Sequence, residues 1–382
     1  MARSSGNVSL GKAKIEKYDE FYTRYEDIQN ELNHYEVHFK GKTVLCNCDD
    51  PFESNFCKFF LRNFNYLGLK RLICTSYSNS PVVGTQMTIF DYLDEPVQKG
   101  NGYVMDITEV PMANGKGVSD DDIDRLLKSK KRGVKKLEGE GDFRSEECIE
   151  YLKQADIVVT NPPFSLFREY ISLLLEYEKQ FLIIGNQNAL HYKEIFPLIQ
   201  NNKIWVGYKR SSGGGWYTVT KEYENDIKNN KKKATWKEVD GKFLVNCPML
   251  WYTNLDIKKR HEDLILYKKY TSDEYPKFDN FNAINVNKVS DIPLDYFGYM
   301  GVPDGFIEIY NPEQFEIVGR SGDTEWVLNE CSFFTPPTDE RRNFYKKYNK
   351  TWRVQNGYLL DENELPVIVY SRIFIRRKEK QK

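Results

Sequence analysis

The stretch that most restricts this chain is the one in which the apolar run Ala155-Asp156-Ile157-Val158-Val159-Thr160 passes directly into Asn161-Pro162-Pro163-Phe164. Two consecutive prolines donate no amide hydrogen bond and hold φ fixed. The backbone therefore leaves the strand in a rigid extended turn, with no helix starting at Asn161 or Pro162. At the carboxyl end of a strand in an open α/β sheet, where ligands are bound, this turn offers a polar fork and an aromatic face. The fork is the Asn161 side chain and the Pro162 carbonyl; the face is Phe164. A planar base carrying an amino group fits such a fork. The four residues alone also suit a proline-rich loop punctuating two buried elements, and the strand before them and the aromatic after them favour the ligand.

The surrounding pattern is that of an α/β sheet. Lys42-Thr43-Val44-Leu45-Cys46-Asn47-Cys48 reads as a strand, Asp49-Asp50-Pro51 as an acidic turn, and a helix runs on through Phe60 and Phe64. A second strand covers Lys70 to Tyr77. Helices are expected over Glu146 to Gln154 and Leu166 to Glu178, strands at Gln180 to Gly185 and Ile204 to Tyr208, and a late strand over Phe243 to Thr253. Strand and helix thus alternate from Thr43 to Tyr208, which predicts a mainly parallel sheet covered on both faces. Carboxylates at the first turn can hold an ammonium group, and the amide donors of the following helix can hold a carboxylate, as an amino-acid-like ligand requires. Asp49 and Asp50 serve equally well as ordinary helix caps. Upstream, helical spacing from Ala13 to Leu32 predicts a helix interrupted by a turn near Thr23. Residues 78–137 are too long for a simple crossover and read as an insertion at the sheet edge, ending in a basic run from Lys128 to Lys136.

Composition adds exclusions. A formal net charge of −1 leaves room only for a local nucleic-acid surface. Seven cysteines without a CxxC pair, and only four histidines, argue against structural zinc and a disulfide framework and suit a reducing cytoplasm. No signal-peptide core or membrane-length apolar run is present. Aromatic and Asn-rich texture from Asn254 onward marks a second, less regular module, so the domains are expected at 1–253 and 254–382.

Taken together, Asp19-Glu20-Phe21-Tyr22-Thr23, Cys46-Asn47-Cys48-Asp49-Asp50-Pro51, Ser54-Asn55-Phe56, Gly141-Asp142-Phe143 and Asn161-Pro162-Pro163-Phe164 resemble, in order, the motifs of the EcoRI-type adenine-specific DNA methyltransferases. Met300-Gly301-Val302-Pro303 and Asn311-Pro312-Glu313-Gln314-Phe315 resemble later segments of that family. The resemblance implies a Rossmann-like S-adenosylmethionine-dependent methyltransferase sheet with an irregular C-terminal target-recognition module, acting on adenine in double-stranded DNA. It implies that Phe21, Tyr22 and Thr23 close over the donor's methionine end, lined by Asp49, Asp50 and Pro51. Asp142 and Phe143 would take the donor's adenine, and Asn161, Pro162, Pro163 and Phe164 the target base. Two departures stand out. Cys74-Thr75-Ser76-Tyr77 lacks the acidic residue that usually holds the donor ribose, and the first turn lacks glycine.

An adenine amino group is a poor nucleophile and is paired inside a duplex, so the base must leave the stack before it can react. No Pro-Cys dipeptide of the cytosine carbon-5 type occurs, and no metal is called for. A monomer is expected, with any restriction endonuclease acting separately. A protein-glutamine methyltransferase and a non-catalytic DNA-binding relative are the alternatives.

Overall fold

The computed structural model describes residues 21–48, 54–76, 102–111, 118–119, 121–123, 125, 134–209, 215–219, 221–231, 233–239 and 241–379. Two compact units emerge, one containing the chain up to Leu190 with Val206–Leu255, the other His191–Trp205 with Asp256 onward. The segment His191–Trp205 groups with the second unit.

The first unit is built on an eight-stranded sheet. A short strand β1 (Phe21–Tyr22) precedes it, and its own strands follow as β2 (Thr43–Asn47), β3 (Arg71–Ser76), β4 (Tyr103–Ile107), β5 (Val134–Lys136), β6 (Ile157–Thr160), β7 (Gln180–Asn186) and β8 (Trp205–Val206). After β9 (Gly215–Val219), β10 (Trp236–Val239) and β11 (Lys242–Cys247), β12 (Met249–Thr253) returns to it. The order is β5-β4-β3-β2-β6-β7-β12-β8. Its centre, β3-β2-β6-β7, is parallel. β4, β5 and β12 add antiparallel to their neighbours, so the sheet is mixed where alternation predicted a mainly parallel one. The central strands are buried along their length, as near-continuous apolar runs require when both faces are covered.

Helices are delimited by their caps. The hydroxyl of Ser54 accepts from the Phe56 amide at 3.1 Å to start the helix Asn55–Leu67, and Gly68, at φ 61°, ends it in the left-handed region. Its buried face presents Phe56, Phe59, Phe60 and Phe64. Ser145 caps the helix Glu146–Gln154 in the same way. At the β3–β4 junction Arg71 forks onto both oxygens of Asp106 at 2.7 Å, which fixes the antiparallel register.

A smaller sheet, β1-β9-β11-β10, departs from the sequence reading in two places. Phe21–Tyr22 is a strand antiparallel to β9 where helical spacing predicted helix, and the helix proper starts at Tyr25. The single strand expected over Phe243 to Thr253 is cut by Pro248 into β11 of this sheet and β12 of the larger one.

In the second unit, β13 (Ile284–Asn285), β14 (Met300–Val302), β15 (Phe315–Arg320), the hairpin β16 (Tyr358–Leu360) with β17 (Pro366–Ile368), and β18 (Ile373–Arg377) surround an aromatic core. The sheet order is β13-β14-β18-β15, and Phe278, Phe281, Phe333 and Phe374 pack together. The Gln314 amide exchanges two hydrogen bonds with the Leu264 backbone, at 2.8 and 2.9 Å, so Asn311–Phe315 has a structural duty here. Among the described residues no helix is long and apolar enough to cross a membrane.

Candidate active site

β6 stops at Thr160, and a helical turn begins only at Phe164, where the Leu166 amide reaches the Pro163 carbonyl at 3.0 Å. The two prolines thus hold Asn161–Pro163 as an extended bridge. Thr160 is fully buried, and its hydroxyl donates to the main-chain carbonyl of Asn47 at the end of β2. On the following helix, Phe167–Glu176, the Tyr170 hydroxyl donates to the side-chain oxygen of the same Asn47. The Tyr170 ring meets Phe143 edge-on, with centroids 4.9 Å apart. Three segments well separated in sequence therefore close on one buried junction: the end of β2, the Asp142-Phe143 loop and the Asn161 turn. Asn161, Pro163 and Phe164 are half-buried, and Pro162 is buried.

Past Asn47 the chain turns at Cys48, whose φ of 70° is a left-handed value that glycine ordinarily supplies. Asp49, Asp50 and Pro51 lie outside the described residues. The Asn55 amide, at the start of the next helix, donates to the Thr23 carbonyl at 2.8 Å and so ties the Phe21–Thr23 segment to this βα unit. For Phe21 and Tyr22 the backbone alone is described. Thr23 is 5% exposed and Thr75, at the end of β3, 1%; the hydroxyl of each is buried without a hydrogen-bond partner among the described residues. Next to Thr75, the Ser76 hydroxyl is already occupied, accepting from the Tyr103 amide at 3.1 Å.

Gly141, at φ 82°, lies so close to the Ser76 carbonyl that a Cβ would overlap it, and this fixes the entry to Asp142. The Asp142 carboxylate accepts from the Arg144 amide and from its Nε, both at 2.9 Å, and Arg144 reaches on to Glu169 at 3.2 Å. The Arg144 guanidinium holds the Asp142 carboxyl below the usual carboxylate range. Phe143 is buried, with Arg144 5.3 Å from its centroid, so part of its face is covered by the protein itself.

The chain matches the family model described as adenine-specific methyltransferase EcoRI over residues 9–378. It belongs to that family. Over 345 residues it is 46% identical to the type II methyltransferase M.EcoRI of Escherichia coli, covering 87% of this chain and 97% of that protein. It is 37% identical to M.MpnI of Mycoplasma pneumoniae over 313 residues (81% and 84%). With M.MgeORF184P of Mycoplasma genitalium it shares 38% over 314 residues (81% and 85%). No solved structure matches. This EcoRI-family protein is an adenine-specific DNA methyltransferase, and the family implies a Rossmann-like catalytic fold and the use of S-adenosylmethionine.

The residues present fit such a group. Two buried hydroxyls without a partner among the described residues, on Thr23 and Thr75, are what a ligand rich in hydroxyl and amino groups would satisfy. Sequence reasoning named Thr23 but gave no role to Asn47, Asn55, Arg144 or Tyr170. Only Arg144, a guanidinium two residues after a candidate carboxylate, left a local signal. Another arrangement that it did not anticipate joins β2, the helix Asn55–Leu67 and β3, whose Cys46, Cys57 and Cys74 are fully buried and bring their sulfurs within 4.8 Å of one another. Burial pushes the Cys74 thiol well above its ordinary value, which keeps it a neutral, apolar packing group.

Proposed function

We propose that this methyltransferase moves a methyl group from S-adenosylmethionine to the exocyclic amino group of an adenine flipped out of duplex DNA. What supports this most is the junction at Asn47, which holds the Asn161 turn against the end of β2, beside β3 and its buried Thr75 hydroxyl. The Asn161 side-chain oxygen and the Pro162 carbonyl accept from the two amino hydrogens. With both hydrogens held, the nitrogen can become tetrahedral and its lone pair can be aimed, so orientation supplies much of the catalysis. The same acceptors stabilise positive charge developing on the nitrogen. Phe164 stacks on the base and, with Pro163 stiffening the bridge, offsets the few kcal/mol of unstacking.

The donor, when bound, supplies an activated sulfonium methyl. Thr23, with Phe21 and Tyr22, and the turn Asp49-Asp50-Pro51 would hold its methionine end. Thr75 stands where an acidic residue usually meets the ribose. Asp142 would share its oxygens between Arg144 and the donor's adenine, next to Phe143. In this reading the catalytic domain is 1–253, with an insertion at about 78–137, and 254–382 reads the DNA target. The protein works as a cytoplasmic monomer in restriction-modification or DNA protection, separately from any endonuclease.

Asn161→Ala tests the mechanism. Turnover on unmethylated duplex DNA is expected to fall by about a hundredfold or more, while donor affinity measured by calorimetry persists. Unchanged turnover removes Asn161 from the chemistry.

A further inference from the structure

Residues 341–353 read Arg-Arg-Asn-Phe-Tyr-Lys-Lys-Tyr-Asn-Lys-Thr-Trp-Arg, six basic residues and no acidic one in a chain whose net charge is −1. Most of the stretch is the helix Asp339–Tyr348, capped by the Thr338 hydroxyl. One side of it is fixed to the second unit. Arg341 Nε lies 2.7 Å from Asp279, the Tyr345 hydroxyl also donates to Asp279, and the Tyr345 ring stacks on Tyr358 at 4.4 Å. At 100° per residue Lys346 and Lys347 point about 100° and 160° away from Tyr345, with Arg342 on the flank, all three exposed, and exposed Lys350 and Arg353 follow just beyond the helix end.

Arg342 pairs with Asp339 at 3.2 Å, but Lys346, Lys347, Lys350 and Arg353 form no ion pair with any described residue. Lys346 lies 5.5 Å from the centroid of Trp352 and Lys347 5.3 Å from that of Tyr348, so rings steady both ammonium groups without cancelling their charge. Arg342 and Lys346, one turn apart, repel each other. A rigid helix that keeps like charges together on its free face suits a partner presenting a row of anions.

We propose that this face, Arg342, Lys346, Lys347, Lys350 and Arg353, binds the phosphate backbone of the substrate duplex. It supplies sequence-independent affinity and positions the second unit, while base reading falls to other residues. The proposal rests on the reading of the second unit as the DNA-contacting one.

The test uses the full-length protein and the variant K346Q/K347Q/K350Q, with binding measured from about 50 to 200 mM salt on two duplexes, one that the wild type methylates and one that it does not. Each lost phosphate contact lowers the slope of log affinity against log salt by about 0.9, so the variant's slope should fall by between two and three. Affinity for both duplexes should drop together by roughly tenfold or more at low salt, with donor affinity unchanged. A wild-type slope in the variant overturns the proposal, as does a loss confined to the methylated duplex, which would mean base reading. Should the triple variant not fold, Lys346→Glu alone is expected to lower the slope by about one, and wild-type binding by it overturns the proposal equally. A wild-type protein that binds neither duplex defeats the DNA-contact reading itself, whereas wild-type binding with unaffected variants defeats only this surface.

Discussion

Thr75 hides a hydroxyl that nothing described in the protein uses. Leaving such a group unsatisfied costs about 1–3 kcal/mol, whereas one neutral hydrogen bond contributes about 1 kcal/mol net. Thr75→Val keeps the shape and removes the hydroxyl. Its free form should therefore be as stable as the wild type or more so in urea, while its donor dissociation constant rises about fivefold; unaltered donor affinity would take Thr75 out of the site. Asp142 yields a prediction in pH. Arg144 depresses its folded-state value, so its contribution is present above the unfolded carboxylate range and is lost as pH falls through the depressed one. In Arg144→Ala that contribution should be absent at neutral pH as well, so that the acid-unfolding midpoint moves up in pH.

Between elements, the junction at Asn47 depends on Tyr170. Tyr170→Phe would leave a buried amide oxygen short of a donor, costing about 1–3 kcal/mol. It should also reduce turnover more than donor affinity, because the helix it loosens follows directly on the Asn161 bridge; equal losses in both would point to a general packing role. Why the strands were legible while this contact was not has a physical basis. Thr43–Asn47, Ile157–Thr160 and Gln180–Asn186 are short apolar runs bounded by turns, and their bounds follow from local chemistry. Strand direction does not, since a buried antiparallel strand such as Tyr103–Ile107 has the same residue pattern as a parallel one. Nor does a pairing with a distant partner: Phe21–Tyr22 meets Val219 and Thr218, and helical spacing around it prevailed in the reading. Pro248 was visible in the sequence, but the apolar residues on both sides suggested continuity. Of the site, the Asn161 turn was readable because prolines act locally, whereas Asn47, Thr160 and Tyr170 meet only through the register of two strands and a helix.

In the whole molecule, the proposals give the donor to the first unit and the DNA backbone to the second, so donor binding and backbone binding should be separable by mutation. Asp279→Asn weakens the anchor of the helix Asp339–Tyr348 to the second unit. Because the Arg341–Asp279 pair is part-exposed, the loss of stability should be modest, about 1 kcal/mol. DNA affinity in a filter-binding titration is expected to fall while donor affinity holds, and a parallel fall in both would show the separation to be false. The strand pairing Phe21–Tyr22 with Thr218–Val219 also governs timing during biosynthesis. At ribosomal rates of about 5–20 residues per second, the segment before Thr23 waits roughly 10–40 seconds for its partner to be made. A nascent chain that has not yet reached Val219 therefore holds its first strand without this partner, so the first unit can be completed only after most of the chain has been made.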